Sequence, residues 1–499
     1  MTCHHGNIMK LLINGDWVNS SNDNELEKYN PSTGGLFGKF PAATKEDVKA
    51  AIDAADESFE MWYSKGSVER SKVIYKTKGL IEKSRTELER LLQEENGKTT
   101  IEARQETDGV LDQLQYYGEF ARKITGDIVE GDSPSRKIFQ HKIPYGVVVA
   151  LTPWNFPAAM VARKLAPALM AGNSVVLKPS SDTPFTAEWI VKKFAEAGVP
   201  KGVLNFVTGK GSEIGDFIVE HKKVGLVTMT GSTSTGQRIM SHSSSNMAKL
   251  ILELGGKAPF MVWKDADLKN ALRTFIWAKL WNAGQSCIAA ERLYIHSEIY
   301  DKFIGMITRS LSKIKVGNPR TSDMGPLINK SALETTEKFV EGAKESGYKL
   351  LTGGEKPNLS GEFGNGYFYM PTLFSGVDQK SDIFQEEVFG PVIGAMPVDD
   401  EDEMFRYAND SKYGLASYLF AKDPNLIFKS LEGIRFGEVY VNMPGPESSQ
   451  GYHTGFRLTG QAGEGSKYGI EEYLKLKNVY VDYSGKELKI ETVREELLE

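Results

Sequence analysis

The sequence predicts an α/β protein: a parallel, doubly wound sheet, a second α/β region after it, and an extended projecting element. Three observations predict this. Short β-branched runs at 147–151, 174–177, 203–207 and 224–228 alternate with helix-like segments, the pattern of consecutive βαβ units. Glycine-rich stretches, Gly209-Lys210-Gly211 and Thr230-Gly231-Ser232, follow the last two runs. A further alternating region runs from about 253 to 435.

Along the chain, Leu11 to Val18 reads as a β-hairpin, because Asn14-Gly15 tolerates two positive φ angles in a tight turn. Thr44 with Asp47 three residues later is a variant capping box. Val48, Ala51, Ile52, Ala55 and Phe59 then recur at helical spacing. Residues 67–121 are charged and helical in pattern. The stretches 121–146 and 474–483 read as extended without a core of their own, and are expected to project and pair with another subunit. The charged tail from Ser484 to Glu499 is expected as a solvated helix or an arm on a neighbour.

The chain has 499 residues, enough for roughly three domains at about 150 residues each. Its 60 basic and 66 acidic residues give a net charge of −6, a mixed surface that argues against nucleic-acid binding. With 40% hydrophobic and 25% charged residues the chain is expected to be ordered. No uncharged apolar run reaches the ~18 residues of a membrane span; the best candidate, Ala158 to Ala171, is interrupted by Arg163, Lys164 and Pro167. Two cysteines, Cys3 and Cys287, exclude a disulfide scaffold and point to a reducing cytoplasm. The N-terminus, Met1 to His5, lacks the basic and apolar regions of a secretory signal. The seven histidines are scattered, and Cys3, His4 and His5 read as a terminal tail, so no metal site is expected.

Several motifs carry chemistry. Cys287 lies in Asn282-Ala-Gly284-Gln-Ser-Cys287. Its small and polar neighbours would let a substrate approach, although free cysteines more often serve as small buried hydrophobes. A nucleophilic thiol would need activation, since only a few per cent is thiolate at neutral pH. Glu253, in Leu252-Glu253-Leu254-Gly255-Gly256-Lys257, stands at a strand end entering a turn. Burial there would raise its pKa toward the range of a general base; a capping or ion-paired glutamate is the plainer reading. Asn155, in Thr152-Pro153-Trp154-Asn155-Phe156-Pro157, follows the first parallel strand, where open sheets bind ligands. It can donate to an oxyanion or merely satisfy a proline-rich turn. The two glycine loops, each weak alone, together point to a dinucleotide with its pyrophosphate near a helix N-terminus.

These motifs taken together resemble the aldehyde dehydrogenase superfamily, from Asn14-Gly-Asp-Trp17 to about Tyr483. The resemblance rests on Pro153-Trp-Asn-Phe-Pro157, Leu177-Lys178-Pro179, Thr230-Gly-Ser232, Glu253-Leu-Gly-Gly-Lys257, Gly284-Gln-Ser-Cys287 and Glu387-Val-Phe389-Gly-Pro391. It implies the aldehyde dehydrogenase fold: a Rossmann-like cofactor domain (8–120 and 147–252), an α/β catalytic domain (253–435), and a β oligomerisation arm with C-terminal tail (121–146 and 468–499), usually in a homotetramer. It implies Cys287 as nucleophile, Glu253 as general base and Asn155 as oxyanion donor. Cofactor contacts are implied for Thr152, Trp154, Lys178, Ser180, Ser181, Lys210, Gly211, Gly215, Gly231, Ser232, Leu254, Glu387 and Phe389. Within the superfamily the chain is similar to the lactaldehyde and glycolaldehyde dehydrogenase branch, and more narrowly to archaeal NADP-dependent glyceraldehyde dehydrogenases. Arg163 and His453 fit that branch and are expected at the substrate tunnel, beside Asn155 and Cys287; the alternative makes Arg163 a buried ion-pair partner and His453 a surface residue.

The resemblance therefore implies NADP-dependent oxidation of a short hydroxy-aldehyde, glyceraldehyde to glycerate, through a cysteine thioester hydrolysed by water. NADP is expected over NAD because NAD-preferring members usually carry a glutamate where this chain has Ser181. A carboxylate about 4 Å from a 2′-phosphate would repel it by up to roughly 4 kcal/mol at an effective dielectric near 20. Lys178 and Lys210 are expected to supply positive charge there. The other readings are a lactaldehyde, glycolaldehyde or broad-specificity enzyme, a CoA-acylating enzyme, and a non-enzymatic structural protein on the same fold. The presence of Glu253 counts against the CoA-acylating reading, and Cys287 and Glu253 together count against the structural one.

Overall fold

The computed structural model describes residues 9–485. Cys3, His4, His5 and all but the first two residues of the charged tail lie outside them.

Five parallel strands form the centre of the first sheet, in the order Leu204–Phe206, Ser174–Pro179, Val147–Thr152, Val224–Thr230, Lys249–Glu253. The direction of winding reverses between Val147–Thr152 and Val224–Thr230, which opens a crevice at their carboxyl ends. The hairpin Leu11–Ile13 and Asp16–Val18 closes one edge, with Asn14 and Gly15 both at positive φ as the Asn-Gly dipeptide required. Gly460–Gln461 closes the other, paired with Leu252 and Glu253.

The helices on this sheet follow their local signals. Thr44 and Asp47 form a reciprocal capping box for Lys45–Ser64. Phe59 is half-buried, and Trp62 takes the fully buried position of the last turn. The helical stretch after residue 66 divides into Gly66–Lys83, Arg85–Asn96 and Thr100–Gly118. Gly97 causes the second break. It sits at φ 86°, and a side chain there would strike Pro326. Thr99 with Glu102 then caps the next helix.

The second sheet has the order Lys349–Thr352, Thr372–Ser375, Val392–Val398, Ala290–His296, Ala258–Val262, Ala416–Phe420, Glu438–Val441. All its pairings are parallel except the first. Its last strand lies beyond residue 435. The segments read as extended, at 121–146 and 474–483, pair with one another. Asp127–Glu130, Arg136–Pro144 and Leu474–Asp482 form a separate three-stranded antiparallel sheet. Ile128, Leu476 and Tyr480 on it are exposed. Among the described residues no helix is long and apolar enough to cross a membrane.

Candidate active site

A cavity of about 480 Å³ lies between the two sheets, and Asn155, Arg163, Glu253, Cys287 and His453 all line it. Five residues scattered over 299 positions of sequence are brought together here, and the local reasons are legible.

Cys287 follows an unusual turn. Asn282, Ala283 and Gly284 all have positive φ, at 54°, 56° and 78°. Two of them are not glycine, so this turn is strained and must be held by its surroundings. Asn282 does much of that holding. Its backbone N–H donates to Glu102 (2.6 Å), and its side-chain amide donates to the carbonyls of Asn155 (3.0 Å) and Gln285 (3.2 Å). Gln285 donates back to Asn282 O and accepts from Ile328 N–H. At Gly284 a Cβ would stand 2.4 Å from the Gly390 carbonyl.

Glu253 ends its strand and turns into Gly255-Gly256. Gly256 is sterically required, and Gly255 faces the end of the Glu387 side chain. A Cβ at Gly256 would lie 2.0 Å from the Cys287 carbonyl, and one at Gly255 would lie 2.7 Å from a Glu387 oxygen. The glutamate and the thiol can share one cavity only because this backbone has no side chains. Glu253 is buried, and among the described residues both its carboxylate oxygens lack hydrogen-bond partners. It is neither a helix cap nor a lysine- or arginine-paired carboxylate. Burial, only partly offset by His453 and Lys164, pushes its pKa well above the ordinary value.

Asn155 sits between the strand Val147–Thr152 and the helix Pro157–Ala171. Its backbone carbonyl accepts from Lys98 Nζ (2.8 Å) and from Asn282. Lys98 is fully buried over the Phe156 ring and 3.3 Å from Glu106. Glu106 in turn accepts from the free N–H groups of Ala158 and Ala159 at the helix start. Lys98, Glu102, Glu106 and Asn282 thus lock the nucleophile turn to the asparagine. Sequence reasoning quoted Asn282 only as part of the Cys287 motif and passed over the other three. Their only local signal was Thr99-x-x-Glu102, which reads as a helix cap.

Arg163 is ion-paired with Glu447, so the expected ion-pair alternative holds at the same time as cavity placement. Among the described residues Arg163 Nε has no hydrogen-bond partner. His453 is buried rather than at the surface, 6% exposed. Its Nδ1 lies 3.1 Å from Glu438 and 3.5 Å from Glu447, and its Nε2 lies 3.9 Å from Glu253. The short pairing of His453 with Glu464 fixes its strand. Glu464 also lines the cavity and is bound by buried Lys164. Glu438, Glu447 and Glu464 carried no sequence signal, because carboxylates in a loop-rich region normally face water.

A second cleft of about 510 Å³ opens at the switch point. Thr152, Trp154, Lys178, Ser180, Ser181, Gly211, Gly215, Gly231 and Ser232 line it, and Thr230 lines both cavities. Helices Gly211–Val219 and Thr233–His242 begin there. A Cβ at Gly211 or Gly215 would meet nothing within 4 Å, so that wall is open to a ligand. Lys178 is buried, and among the described residues it has no carboxylate partner. Burial lowers its pKa to about 8. A buried lysine without a counter-charge and two helix N-termini fit an anionic dinucleotide.

Four expected cofactor residues lie outside this cleft. Lys210 is exposed and its Nζ is 3.5 Å from Glu213, because the backbone at 209–211 directs it outward to its own helix. Leu254 is buried against Gly236. Glu387 accepts from Gly256 N–H (2.8 Å), and burial raises its pKa to about 8. Phe389 stands edge-on to Trp154, ring centroids 5.3 Å apart. The Glu387–Phe389 segment is pinned by Glu291, which accepts from Val388 and Phe389 N–H and pairs with Lys257 and Lys279. The Ser181 hydroxyl donates to the Gly209 carbonyl (3.2 Å), and the residue lines the cleft. Arg238, clamped by Asp216, and His242 line the cleft as well and had no sequence signal.

The aldehyde dehydrogenase family profile matches residues 17–479. The chain belongs to the aldehyde dehydrogenase family. It is 68% identical to the D-glyceraldehyde dehydrogenase (NADP(+)) of Thermoplasma acidophilum over 98% of this chain and 99% of that one. It is 67% identical to the protein of the same name from Picrophilus torridus, over 98% and 99%. The crystal structure of lactaldehyde dehydrogenase from Escherichia coli superposes with a TM-score of 0.92 at 38% identity, covering 95% of this aldehyde dehydrogenase and 99% of that chain.

Proposed function

We propose that this aldehyde dehydrogenase oxidises glyceraldehyde to glycerate with NADP, through a thioester on Cys287 that water hydrolyses. The observation that carries this reading is the meeting of Cys287, Glu253 and Asn155 in one cavity that shares Thr230 with the neighbouring cleft of about 510 Å³. The two relatives named above support the choice of substrate and cofactor.

In this reading the Cys287 sulfur attacks the aldehyde carbon. The Asn155 side chain and the Cys287 N–H hold the developing oxyanion. Bound NADP would supply the hydride acceptor through which the Cys287 adduct becomes a thioester. Lys178, Ser180 and Ser181 would hold the adenosine side of the cofactor, the helix N-termini at Gly211 and Ser232 its phosphates, and Glu387 and Phe389 its nicotinamide side. Glu253 then takes a proton from water, and the acid departs. The strained turn at 282–284 and the Lys98–Asn155 bond keep nucleophile and oxyanion donor in register. Asn155→Ala is expected to lower kcat by about 10²–10³, the loss of one oxyanion donor, with the KM for NADP unchanged.

The cavity favours a short polyhydroxylated substrate. Arg163 Nε, Trp281 Nε1 and Gln113 Oε1 are buried, lack hydrogen-bond partners among the described residues, and belong to residues that line it. Buried polar groups left unpaired penalise a substrate without hydroxyls. The test is kcat/KM for glyceraldehyde and hexanal with NADP and with NAD. Glyceraldehyde with NADP is expected to lead; a higher value for hexanal, or a lower KM for NAD, overturns the reading. Ser181→Glu is expected to reverse the cofactor preference, because it sets a carboxylate where the 2′-phosphate would lie. The exposed three-stranded sheet and the charged tail would serve assembly into a homotetramer in the cytoplasm, to be checked by light scattering.

A further inference from the structure

We propose that His453, held by Glu438, is the positioning residue for Glu253: its charged ring stands beside the unpaired carboxylate and keeps it ionised at a lower pH than burial alone would allow. This rests on the reading above in taking Glu253 as the base for water, and the experiment below separates the two.

The imidazole has two committed sides. Nδ1–H donates to Glu438 Oε1 at 3.1 Å, and Glu447 Oε2 lies 3.5 Å from the same nitrogen. Nε2 lies 3.9 Å from Glu253 Oε2. That is too far for a hydrogen bond and close enough for a Coulombic pull between buried groups. His453, Glu253 and Glu438 are all buried, so water screens the pull little. Among the described residues His453 is the one basic side chain within 4.0 Å of the Glu253 carboxylate. In the hydrolytic step an O–H bond of water breaks, an O–H bond forms on Glu253, and the hydroxyl oxygen joins the thioester carbon. His453 keeps its own proton throughout and changes only how readily Glu253 holds one.

The partners of the surrounding carboxylates make the ring an imidazolium. Glu447 is paired with Arg163, and Glu464 with Lys164. Glu438 has no lysine or arginine partner among the described residues; besides His453 it accepts from the Tyr440 hydroxyl at 3.0 Å. A buried carboxylate without a cation is costly, and a charged His453 supplies one. Burial opposes that charge, and Glu438 and Glu447 outweigh it, which holds the His453 pKa well above its ordinary value. No other group facing Glu253 does the same. Lys164 is committed to Glu464, while Glu464 and Glu438 repel a second carboxylate. Burial pushes the Cys287 thiol up, so it adds no charge in the free enzyme. Of the nearby phenols, Tyr418 donates to the Ile288 carbonyl and Tyr452 to Glu472. Burial raises the Glu253 pKa, and His453 is the strongest of the charges that pull it back.

The experiment reads the ionisation of Glu253 directly, by infrared difference titration against the same protein carrying Glu253→Gln; the protonated carboxyl band is lost as pH rises through the midpoint. Beside it, rapid mixing with 4-nitrophenyl acetate gives the rate at which the acetyl-enzyme on Cys287 is hydrolysed, with neither aldehyde nor cofactor present. His453→Gln is expected to move both midpoints up by about 1–3 pH units, the effect of losing an opposite charge at this distance. Below the parent midpoint, deacylation is then expected to slow about tenfold or more. Glu438→Gln, which keeps the ring and removes the charge that holds it, is expected to move both midpoints in the same direction by less. An infrared midpoint that stays put or falls in either folded variant overturns the proposal. An infrared midpoint that moves up while the deacylation profile stays fixed leaves the effect of His453 on Glu253 standing, and overturns instead the assignment of Glu253 as the base for water.

Discussion

Cys287→Ala is expected to abolish NADPH formation from glyceraldehyde, with a loss of at least about 10⁴-fold. The expected NADP affinity is unchanged. Among the described residues Cys287 is the only cysteine, so no neighbouring thiol can substitute. The turn that presents it is held by Asn282 and Gln285 rather than by the sulfur. Removing the sulfur from a half-buried side chain should therefore cost only about 1 kcal/mol of stability. Nucleotide binding, read by protein fluorescence, separates lost chemistry from lost structure, because the cofactor cleft has its own lining. Residual turnover above about 1% of the parent rate would place the nucleophile elsewhere.

Glu253→Gln is expected to separate the two halves of the reaction. Rapid mixing should show a burst of one NADPH per active site, followed by a steady rate lowered about 10²–10⁴-fold. Glutamine fills the same space but cannot accept a proton from water. The pH dependence has a definite sign. Burial raises the Glu253 pKa, so at low pH the carboxyl is protonated and cannot act as a base. Deacylation in the parent enzyme should thus rise as pH increases through that raised pKa and level off above it. The variant should lack this rise. Full steady-state turnover by Glu253→Gln would show that another group activates the water.

The contrast between Glu253 and His453 shows where sequence reading stops. Glu253 stood out because it lies between apolar residues and before two glycines, a local pattern. The structure then supplied the reason for the second glycine, a backbone approach to the Cys287 carbonyl that allows no Cβ. His453 drew notice through family resemblance alone. Its setting depends on Glu438 at the edge of the second sheet, Glu447 in a loop and Glu464 on a short pairing. Nothing in the order of residues says that three glutamates will be buried around one imidazole. Lys98, Glu106 and Asn282 are of the same kind: each acts on Asn155 or its helix from a distant part of the chain.

Lys210 illustrates a different limit. A lysine inside a glycine loop reads as a phosphate ligand, yet here its side chain turns outward to Glu213. One-dimensional proximity places a residue on a loop but does not orient it.

The doubly wound sheet, the Asn14-Gly15 hairpin, the Thr44 cap, the glycine loops and the Cys287, Glu253 and Asn155 motifs were all legible along the chain. Each depends on interactions within a few residues, through backbone dihedrals, hydrogen-bond caps or alternating burial, and such short-range preferences are written locally. The charge cluster around His453, the lock on Asn155, the outward turn of Lys210 and the pairing of the two extended segments emerged only on folding. Each joins residues tens to hundreds of positions apart. Their electrostatics follow from how deeply the packed sheets bury them, and burial belongs to the assembled fold rather than to any segment of it.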